Sequence, residues 1–252
     1  MHGKTEGIVL KEFRYKETSK ILTIFTKRYG KINAMARGAY RAKSQLIANT
    51  QPFSYNNYYF FKGKSFYYIN QADIIDSFYP IRENIHRVMY GSYLLELIDK
   101  STLEEEENEK LFLLLIKGLT LLSRLEEDFL KFILAYELKY ISFLGYRPFL
   151  ECCVVCNRKK FSSFKFSIDN GGIICSNCFP LEPYCENMDI SMYKAMKTLL
   201  YTPLDNLSSI IIPKDTMFKL HEIMVKYILS KIDRNQFNSL NMLKTIMDSG
   251  GI

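Results

Sequence analysis

Residues 5–80 show the pattern of β-strands: residues 7–11 and 20–25 are rich in β-forming residues, residues 31–37 alternate imperfectly between apolar and polar positions, and residues 54–61 are dense in Tyr and Phe. Tyr29-Gly30-Lys31 and Lys62-Gly63-Lys64 interrupt this pattern with the composition of turns. Five short strands in a stretch of this length predict a small closed or half-closed barrel. The predicted strands are residues 7–11, 20–25, 31–37, 54–61 and 66–72.

The apolar spacing changes to a helical period after Pro80. The acidic residues 104–107 are predicted to form the first turn of a helix, where they favour the helix dipole. The acids at 126–128 are predicted to cap the next helix, which Gly145 and Pro148 end. The predicted helices are residues 85–98, 109–122, 125–144, 189–200, 214–232 and a short last one at 237–247.

Charge is distributed unevenly along the chain. Residues 18–72 contain nine Lys/Arg and twelve Phe/Tyr but no Asp or Glu. Residues 1–80 carry 13 Lys/Arg and 5 Asp/Glu, a net +8, whereas the remainder carries 21 and 22, a net −1. Lys and Arg displace counterions from phosphates, and aromatic rings stack on unpaired bases. The barrel is therefore predicted to bind nucleic acid, with a solvated basic face that aids solubility as the alternative.

The composition predicts a protein of two or three structural units. The chain has 252 residues, of which 48% are hydrophobic. The first fifteen residues lack the apolar run of a signal peptide, and the longest apolar run, residues 111–116, is too short to span a membrane. We expect a cytoplasmic protein without membrane contact, in which the six cysteines are thiols or metal ligands.

Four cysteines have the spacing C-x2-C-x18-C-x2-C: Cys153, Cys156, Cys175 and Cys178. Each short gap lets two thiolates reach one ion, and the long gap lets the two pairs face each other. Gly171-Gly172 is placed to return the chain as a hairpin, and Asn157 tolerates the left-handed conformation expected after the first pair. One structural Zn²⁺ per chain is predicted, with four metal-free thiols as the alternative. Two cysteines, Cys152 and Cys185, are spare, and the alternative ligand set uses Cys152 in place of Cys153, with the less usual spacing C-x3-C.

Catalytic motifs are missing from the sequence. The three histidines are His2, His86 and His221, and His221-Glu222 lacks the second histidine of a zinc-protease helix. His221 is predicted to be a helix-surface or core residue. The sequence contains neither a P-loop nor G-x-G-x-x-G. A metal-dependent nuclease or hydrolase is therefore disfavoured.

Four ordered stretches between residues 5 and 180 match one family. The first stretch runs from Gly7-Ile-Val-Leu10 through Tyr15-Lys-Glu-Thr-Ser-Lys20 to Phe25-Thr26 and Gly30-Lys31-Ile32, and the second comprises Arg37-Gly38-Ala39, Arg41, Lys43-Ser44 and Gln51-Pro52-Phe53. The third stretch is Tyr93-Leu-Leu-Glu-Leu97. The fourth stretch comprises Leu144-Gly-Tyr-Arg-Pro148, Leu150, both cysteine pairs and Gly171-Gly172. In this order they resemble RecO, the bacterial family of recombination mediators in DNA repair.

The resemblance implies an α+β multidomain chain. Its parts are an N-terminal OB-fold at residues 1–80, an α-helical domain at 81–147 and 181–252, and a zinc ribbon inserted at 148–180. It also implies binding of single- and double-stranded DNA and annealing of complementary strands after DNA damage. RecO-like proteins work with RecR to load RecA on strands coated by single-strand binding protein, whose C-terminal tail they contact. They act in the bacterial cytoplasm, at the nucleoid, and perform no covalent chemistry.

Charge and resemblance together nominate a set of DNA-binding residues on the barrel and its loop. Its members are Lys20, Lys27, Arg28, Lys31, Arg37, Arg41, Lys43, Tyr29 and Tyr40. A second set, placed near helix ends or turns, is nominated to receive the tail of single-strand binding protein: Lys139, Arg147, Lys194 and Lys197. The alternative function is that of a zinc-ribbon RNA-binding accessory factor, because the residues alone do not choose between DNA and RNA.

Overall fold

The computed structural model of the chain describes residues 2–160, 163–182 and 184–240. The chain packs as two compact units: the first comprises residues up to Leu125 together with the chain from Phe237 onward, and the second comprises Glu126–Gln236. This division by packing is separate from the predicted domain bounds at residues 80, 147 and 180, which stay predictions. Within the described residues, no helix combines the length and the apolar character that a membrane span needs.

A closed β-barrel forms the N-terminal part of the first unit. The described residues contribute to it β1 (His2–Tyr15), β2 (Ser19–Thr26), β3 (Gly30–Ala36), β4 (Tyr55–Lys62) and β5 (Tyr67–Asp76). Their order around the barrel is β1-β2-β3-β5-β4, in which β3 and β5 run parallel and the other neighbours run antiparallel. This is the arrangement of an OB-fold. The predicted α+β fold class with an N-terminal OB-fold is confirmed.

Strand β1 closes the barrel because it is long enough to pair on both of its edges. Its 14 residues pair with β4 along residues 2–8 and with β2 along residues 7–15. A register shift between Val9 and Lys11 marks the point at which the strand bends from one partner to the other. With β1 paired on both sides, the sheet has no free edge there.

The barrel core follows the alternation of the strands. In β4, Asn56, Tyr58 and Phe60 are buried, whereas Tyr59 and Phe61 stay partly exposed. The prediction that half of this ring-rich strand faces inward is therefore confirmed. The buried cluster of the barrel consists of Val9, Leu22, Ile24, Ile32, Ala34, Ala36, Ala39, Tyr58, Phe60, Tyr67 and Ile69.

A buried polar network fixes the C-terminal end of the loop between β3 and β4. The Asn49 amide nitrogen donates to Asn56 Oδ1 at 2.9 Å, and the Tyr58 hydroxyl donates to the Asn49 carbonyl at 2.8 Å. These polar groups are satisfied inside the barrel, so the loop end is held without an unpaired donor or acceptor. The basic first half of the loop lies outside this network.

Helices follow the barrel in the described part of the first unit: α1 (Tyr79–Arg82), α2 (Ile85–Ser101) and α3 (Glu109–Leu122). The predicted helices at residues 85–98 and 109–122 are confirmed. Asparagines cap both long helices, because the Asn84 and Asn108 side chains each accept a hydrogen bond from a backbone N–H in the first turn.

The acidic residues 104–107 do not form the first turn of α3, so that prediction was wrong. Glu105 adopts a left-handed backbone with φ 59°, and its N–H donates to the Lys31 carbonyl at 2.9 Å. The segment therefore turns back toward β3. A barrel cation in direct contact attracts a carboxylate more strongly than the diffuse partial charge of a helix end does.

The second unit combines helices with a small sheet. Its described elements are α4 (Phe129–Phe143), β6 (Phe164–Ser167), β7 (Gly172–Cys175), β8 (Cys185–Asn187), α5 (Ile190–Tyr201) and α6 (Lys214–Lys231). The sheet order is β7-β6-β8. The three helices predicted in this part of the chain are confirmed, although α4 begins at Phe129 rather than at residue 125.

The acids at residues 126–128 do not cap α4 through Asp128. This residue has φ 60°, and its carboxylate accepts from Lys131 Nζ at 2.6 Å instead of from a backbone N–H. A capping side chain needs an extended backbone at its own residue. Asp189 has that conformation before α5, and its carboxylate accepts from the Met192 N–H at 2.8 Å.

His221 is a core residue of the second unit. It lies buried on α6, with its Nδ1 3.2 Å from the carboxylate of the fully buried Glu137 on α4. Of the two positions predicted for His221, helix surface or core, the structure shows the core.

The Glu96 carboxylate on α2 holds the start of the last described segment. It accepts from the N–H groups of Asn238 and Ser239 at 2.9 and 2.8 Å and from the Ser239 hydroxyl at 2.5 Å. Lys100 Nζ lies 2.9 Å from the same carboxylate. Residues 238–240 are helical, whereas residues 241–247 of the predicted last helix lie outside the described residues. Glu96 thus caps this helical turn from outside.

Replacing Glu96 by Gln should lower the free energy of unfolding by about 1–3 kcal/mol, because charge-assisted hydrogen bonds lose strength. Burial alone would raise the pKa of Glu96, but the bonds from Ser239, Asn238 and Lys100 outweigh it and hold the pKa below its ordinary value. The difference between wild type and variant should therefore be full at pH 7 and shrink as the pH falls below about 4.3. Urea denaturation at several pH values measures it.

The matched control for this experiment is Glu222→Gln, which changes the same charge at an exposed position of α6. Equal effects of the two variants, or a difference that does not shrink at all as the pH falls below about 4.3, would contradict the role of Glu96.

Candidate metal centre and nucleic-acid interface

The turns that carry the cysteines have the conformations that the sequence predicts. Asn157 is left-handed with φ 59°, and its N–H donates to the Cys153 carbonyl at 2.9 Å, which closes the first turn. Gly171 has φ +63° in the hairpin between β6 and β7, where a Cβ would lie 2.1 Å from the Tyr227 hydroxyl. Both predictions are confirmed, and the hairpin delivers Cys175 to the first pair.

The sulfur atoms of Cys153, Cys156, Cys175 and Cys178 all lie within 4.8 Å of one another. Cys156 Sγ is 3.6 Å from Cys175 Sγ, which is 3.7 Å from Cys178 Sγ. A tetrahedron with Zn–S bonds of about 2.3 Å has sulfur–sulfur edges of about 3.8 Å. The four sulfurs therefore fit one Zn²⁺. Among the residues described, no other group of His, Cys, Asp and Glu is placed in this way.

The four thiols cannot all ionise on their own. Burial raises the pKa of Cys153, but N–H groups of Cys156, Cys175 and Val155 together lower it to about 6. Burial and the neighbouring thiols raise the pKa of Cys178 to about 12. A bound divalent cation removes this conflict, because it stabilises all the thiolates at once. Four protein ligands leave no open position for a catalytic water.

The two remaining cysteines do not belong to the four-sulfur group. Cys152 is buried, with its Sγ 3.8 Å from Asn157 Oδ1. Cys185 donates to the Glu182 carbonyl at 3.2 Å, and burial raises its pKa. The ligand pair thus starts at Cys153 and not at Cys152.

Several cations nominated for DNA binding are held by the chain's own acids. Lys20 is buried and contacts the Glu12 carboxylate. Lys27 Nζ lies 3.4 Å from Glu109. Lys31 Nζ lies 3.5 Å from an Asp99 oxygen and also contacts the backbone of that residue.

The cations of the loop after β3 are placed differently. Arg37, Arg41 and Lys43 are exposed, and within the described chain none of them forms an ion pair with a carboxylate. The Arg37 guanidinium lies 4.7 Å from the centre of the Tyr68 ring, which stacks on Phe61 at 4.9 Å with 11° between the planes. The loop therefore presents free positive charge beside a stack of flat groups.

The two nominated tyrosines differ in exposure. Tyr29 is packed, with its ring 5.3 Å from Phe60 and 6.4 Å from Tyr67. Tyr40 is 44% exposed, and Lys20 Nζ lies 4.8 Å from the centre of its ring. Tyr40 is thus the more accessible ring. Arg28, also nominated, is exposed in the turn after β2.

Two family models match the chain: "Recombination protein O N terminal" over residues 1–78 and "Recombination protein O C terminal" over residues 82–241. The chain belongs to the RecO family. Relatives named DNA repair protein RecO from Alkaliphilus metalliredigens and Acetivibrio thermocellus are 38% and 32% identical to it, each over 243 residues. These alignments cover 96% of this chain and 99% and 96% of the relatives. A third, from Thermoanaerobacter sp., is 35% identical over 249 residues, covering 97% of this chain and 98% of the relative.

The RecO-family barrel carries candidate contacts that sequence reasoning missed. Arg14 and Lys16 lie at the turn between β1 and β2 and are exposed, outside the acid-free stretch of residues 18–72. Arg82 lines an open groove of about 510 Å³ beside Tyr40. Its guanidinium donates to the Pro52 carbonyl at 2.6 Å. The position of Arg14 and Lys16 near a turn could have revealed them from the sequence, whereas no local sequence signal points to Arg82.

Substituting Cys156 or Cys175 by Ser should release the bound Zn²⁺ and loosen residues 148–180. Metal binding in isolated zinc fingers supplies on the order of 10 kcal/mol of folding free energy. The barrel should stay folded because its core is separate. Metal analysis of purified protein, with circular dichroism, measures both effects.

Cys152→Ser is the matched control and should keep one zinc per chain, because its sulfur lies outside the group. Wild-type protein purified without chelator that contains no zinc would contradict the assignment, as would zinc loss from the control alone.

Proposed function

We propose that the chain acts in DNA repair and homologous recombination as a mediator without enzymatic activity. In this proposal the barrel and its loop bind single- and double-stranded DNA and anneal complementary strands. RecR and the tail of single-strand binding protein are its partners when RecA is loaded on coated strands. Family membership supports the repair role. The observation that carries the binding role is the set of exposed cations Arg37, Arg41 and Lys43, which pair with no carboxylate among the described residues and of which Arg37 lies over a stacked pair of rings.

Annealing follows from charge and stacking. Two strands held near one basic surface repel each other less, because the cations screen their phosphates. Their local concentration also rises, which accelerates pairing. The four-cysteine group serves as a structural zinc site in this proposal, and the helices of the second unit serve partner contacts.

Changing Arg37, Arg41 and Lys43 together to Glu should weaken binding of single-stranded DNA by about tenfold or more and flatten its salt dependence. For single strands, the slope of log affinity against log salt falls by about 0.7 for every phosphate that the protein no longer neutralises. Fluorescence anisotropy with a labelled oligonucleotide at several salt concentrations measures both quantities.

The matched control changes Lys214, Lys219 and Lys226 to Glu, which are exposed on α6. Unchanged affinity and slope in the loop variant would move the binding site elsewhere. The same titration with RNA of the same sequence tests the RNA-binding alternative, which equal or tighter binding of RNA would favour.

The tail of single-strand binding protein is proposed to dock on the second unit near Arg147. An acidic peptide with an apolar end and a terminal carboxylate needs a cation beside apolar surface. The Arg147 guanidinium lies 4.8 Å from the centre of the Tyr201 ring, and both side chains are exposed. Lys139 suits this role less, because its Nζ donates to the Leu199 and Leu200 carbonyls and burial lowers its pKa. Lys194 and Lys197 lie on the neighbouring helix α5.

Arg147→Gln should weaken binding of a labelled tail peptide by about tenfold, because one charge-assisted hydrogen bond is removed. Its affinity for single-stranded DNA should stay unchanged. Lys219→Gln is the control, since it removes a charge from α6 without touching Tyr201. A peptide that binds equally well to both variants, or that competes with DNA for the barrel, would place the tail site elsewhere.

A further inference from the structure

The segment between α2 and α3 lies on the barrel. Residues 103–109, called here the acidic segment, contain Glu104, Glu105, Glu106, Glu107 and Glu109. Glu104 forms a parallel bridge with Lys31 of β3, and the Glu105 N–H donates to the Lys31 carbonyl at 2.9 Å. The backbone of the acidic segment is therefore attached to the edge of a barrel strand.

Side chains of the acidic segment bind polar groups of the barrel. Both carboxylate oxygens of Glu105 accept from Lys62 Nζ, at 2.7 and 2.6 Å, and the Tyr67 hydroxyl donates to Glu105 at 3.1 Å. Glu104 accepts from the Asn33 amide at 2.7 Å. These contacts bring carboxylates to both β3 and the turn after β4.

The turn before β3 is shaped for this close approach. Gly30 has φ +60°, and a Cβ at this position would lie 2.0 Å from the Glu106 carbonyl oxygen. Any larger residue at this position would collide with the backbone of the acidic segment. The contact is thus built into the turn and does not depend on side chains alone.

The covered surface is one that OB-folds use for nucleic acid. Oligonucleotides bind to the face of the second and third strands and to the loops that join the first to the second and the fourth to the fifth strand. In this barrel, a small groove there is lined by Ile32 and Asn33 of β3, by the loop between β4 and β5, and by Glu104 and Glu105 of the acidic segment. A neighbouring groove of about 320 Å³ is lined by the rings of Tyr29, Phe60 and Tyr67 and by the cations Arg28 and Lys62. Glu105 and Glu107 of the acidic segment line the same groove. An anionic segment of the chain itself already occupies this surface.

We propose that the acidic segment is an internal competitor whose carboxylates occupy cations on the barrel's nucleic-acid-binding face, and that the phosphates of single-stranded DNA displace these carboxylates. The inference rests on the proposed DNA-binding function and adds a second part to the binding surface. The loop cations Arg37, Arg41 and Lys43, which have no acidic partner among the described residues, make the first contact with DNA. The phosphates then replace the carboxylates at Lys62 and Lys27, and the strand extends along β3 toward the ring-lined groove.

The exchange requires no unfolding of the barrel. The side chains of Lys62 and Glu105 are 47% and 46% exposed, and ion pairs with this exposure contribute little in water. The hydrogen bond from Lys62 holds the pKa of Glu105 below its ordinary value, so the competitor is charged at neutral pH. A DNA strand that brings several phosphates to these cations outweighs the few carboxylates, and salt weakens both kinds of pairing.

The test compares full-length Glu104→Gln/Glu105→Gln with Glu127→Gln/Glu222→Gln. Both double variants remove two negative charges, but the control positions are exposed in the second unit. The first variant should bind a labelled oligothymidine about threefold tighter or more. Its salt slope should also be steeper, because each freed cation that meets a phosphate adds about 0.7 to the slope. The control should lie close to wild type. Equal affinities of the two double variants would overturn the proposal.

A second substitution tests the mechanism by non-additivity. In the wild-type background, where the Glu105 carboxylate already binds the Lys62 ammonium, Lys62→Gln should change the affinity for DNA little. In the Glu104→Gln/Glu105→Gln background, the same substitution should abolish the gain in affinity for DNA. An equal effect of Lys62→Gln in both backgrounds would contradict the competition. Failure of the proposed DNA-binding function is distinguishable, because wild-type protein itself would then not bind the oligonucleotide.

Discussion

Closure of the barrel through β1 is the constraint on which the candidate binding surface depends. Because β1 pairs with both β2 and β4, and β5 pairs in parallel with β3, the inward and outward faces of every strand are fixed. The turn after β4 is thereby brought beside the start of β3. One segment from outside the barrel can then contact Lys31 and Lys62 together, although these residues are far apart in sequence.

Within the first unit, carboxylates from outside the barrel neutralise only some of the barrel's cations, although the composition of residues 1–80 suggests a uniformly basic surface. Asp99, Glu105 and Glu109 come from the chain after the barrel and pair with Lys31, Lys62 and Lys27. Within the part of the chain that the structure describes, Arg37, Arg41 and Lys43 have no carboxylate partner, so their positive charge stays available to a polyanion. The net charge of residues 1–80 therefore overstates the surface that is immediately available to a polyanion.

The small sheet of the second unit is too short to be stabilised in the way that the barrel is. Its described strands have four, four and three residues, too short to be stable by backbone pairing alone. The cysteine side chains lie where a metal would join the loop before β6 to the end of β7. A metal ion bound by such cysteines would stabilise an element that is too small for a large core of its own.

The sequence by itself determined the local features: the strands, the helices such as that at residues 109–122, the left-handed Asn157 and the four cysteines with the spacing of metal ligands. These depend on periodicity, turn chemistry and spacing, which act over a few residues. Only the tertiary structure decided which nominated cations are free. Lys31 and Asp99 are 68 residues apart, and Lys62 and Glu105 are 43 apart, so no local pattern reports their pairing. The acids at 104–107 fit the local pattern of a helix start, but long-range contacts such as the ion pair between Glu105 and Lys62 override this weaker local preference.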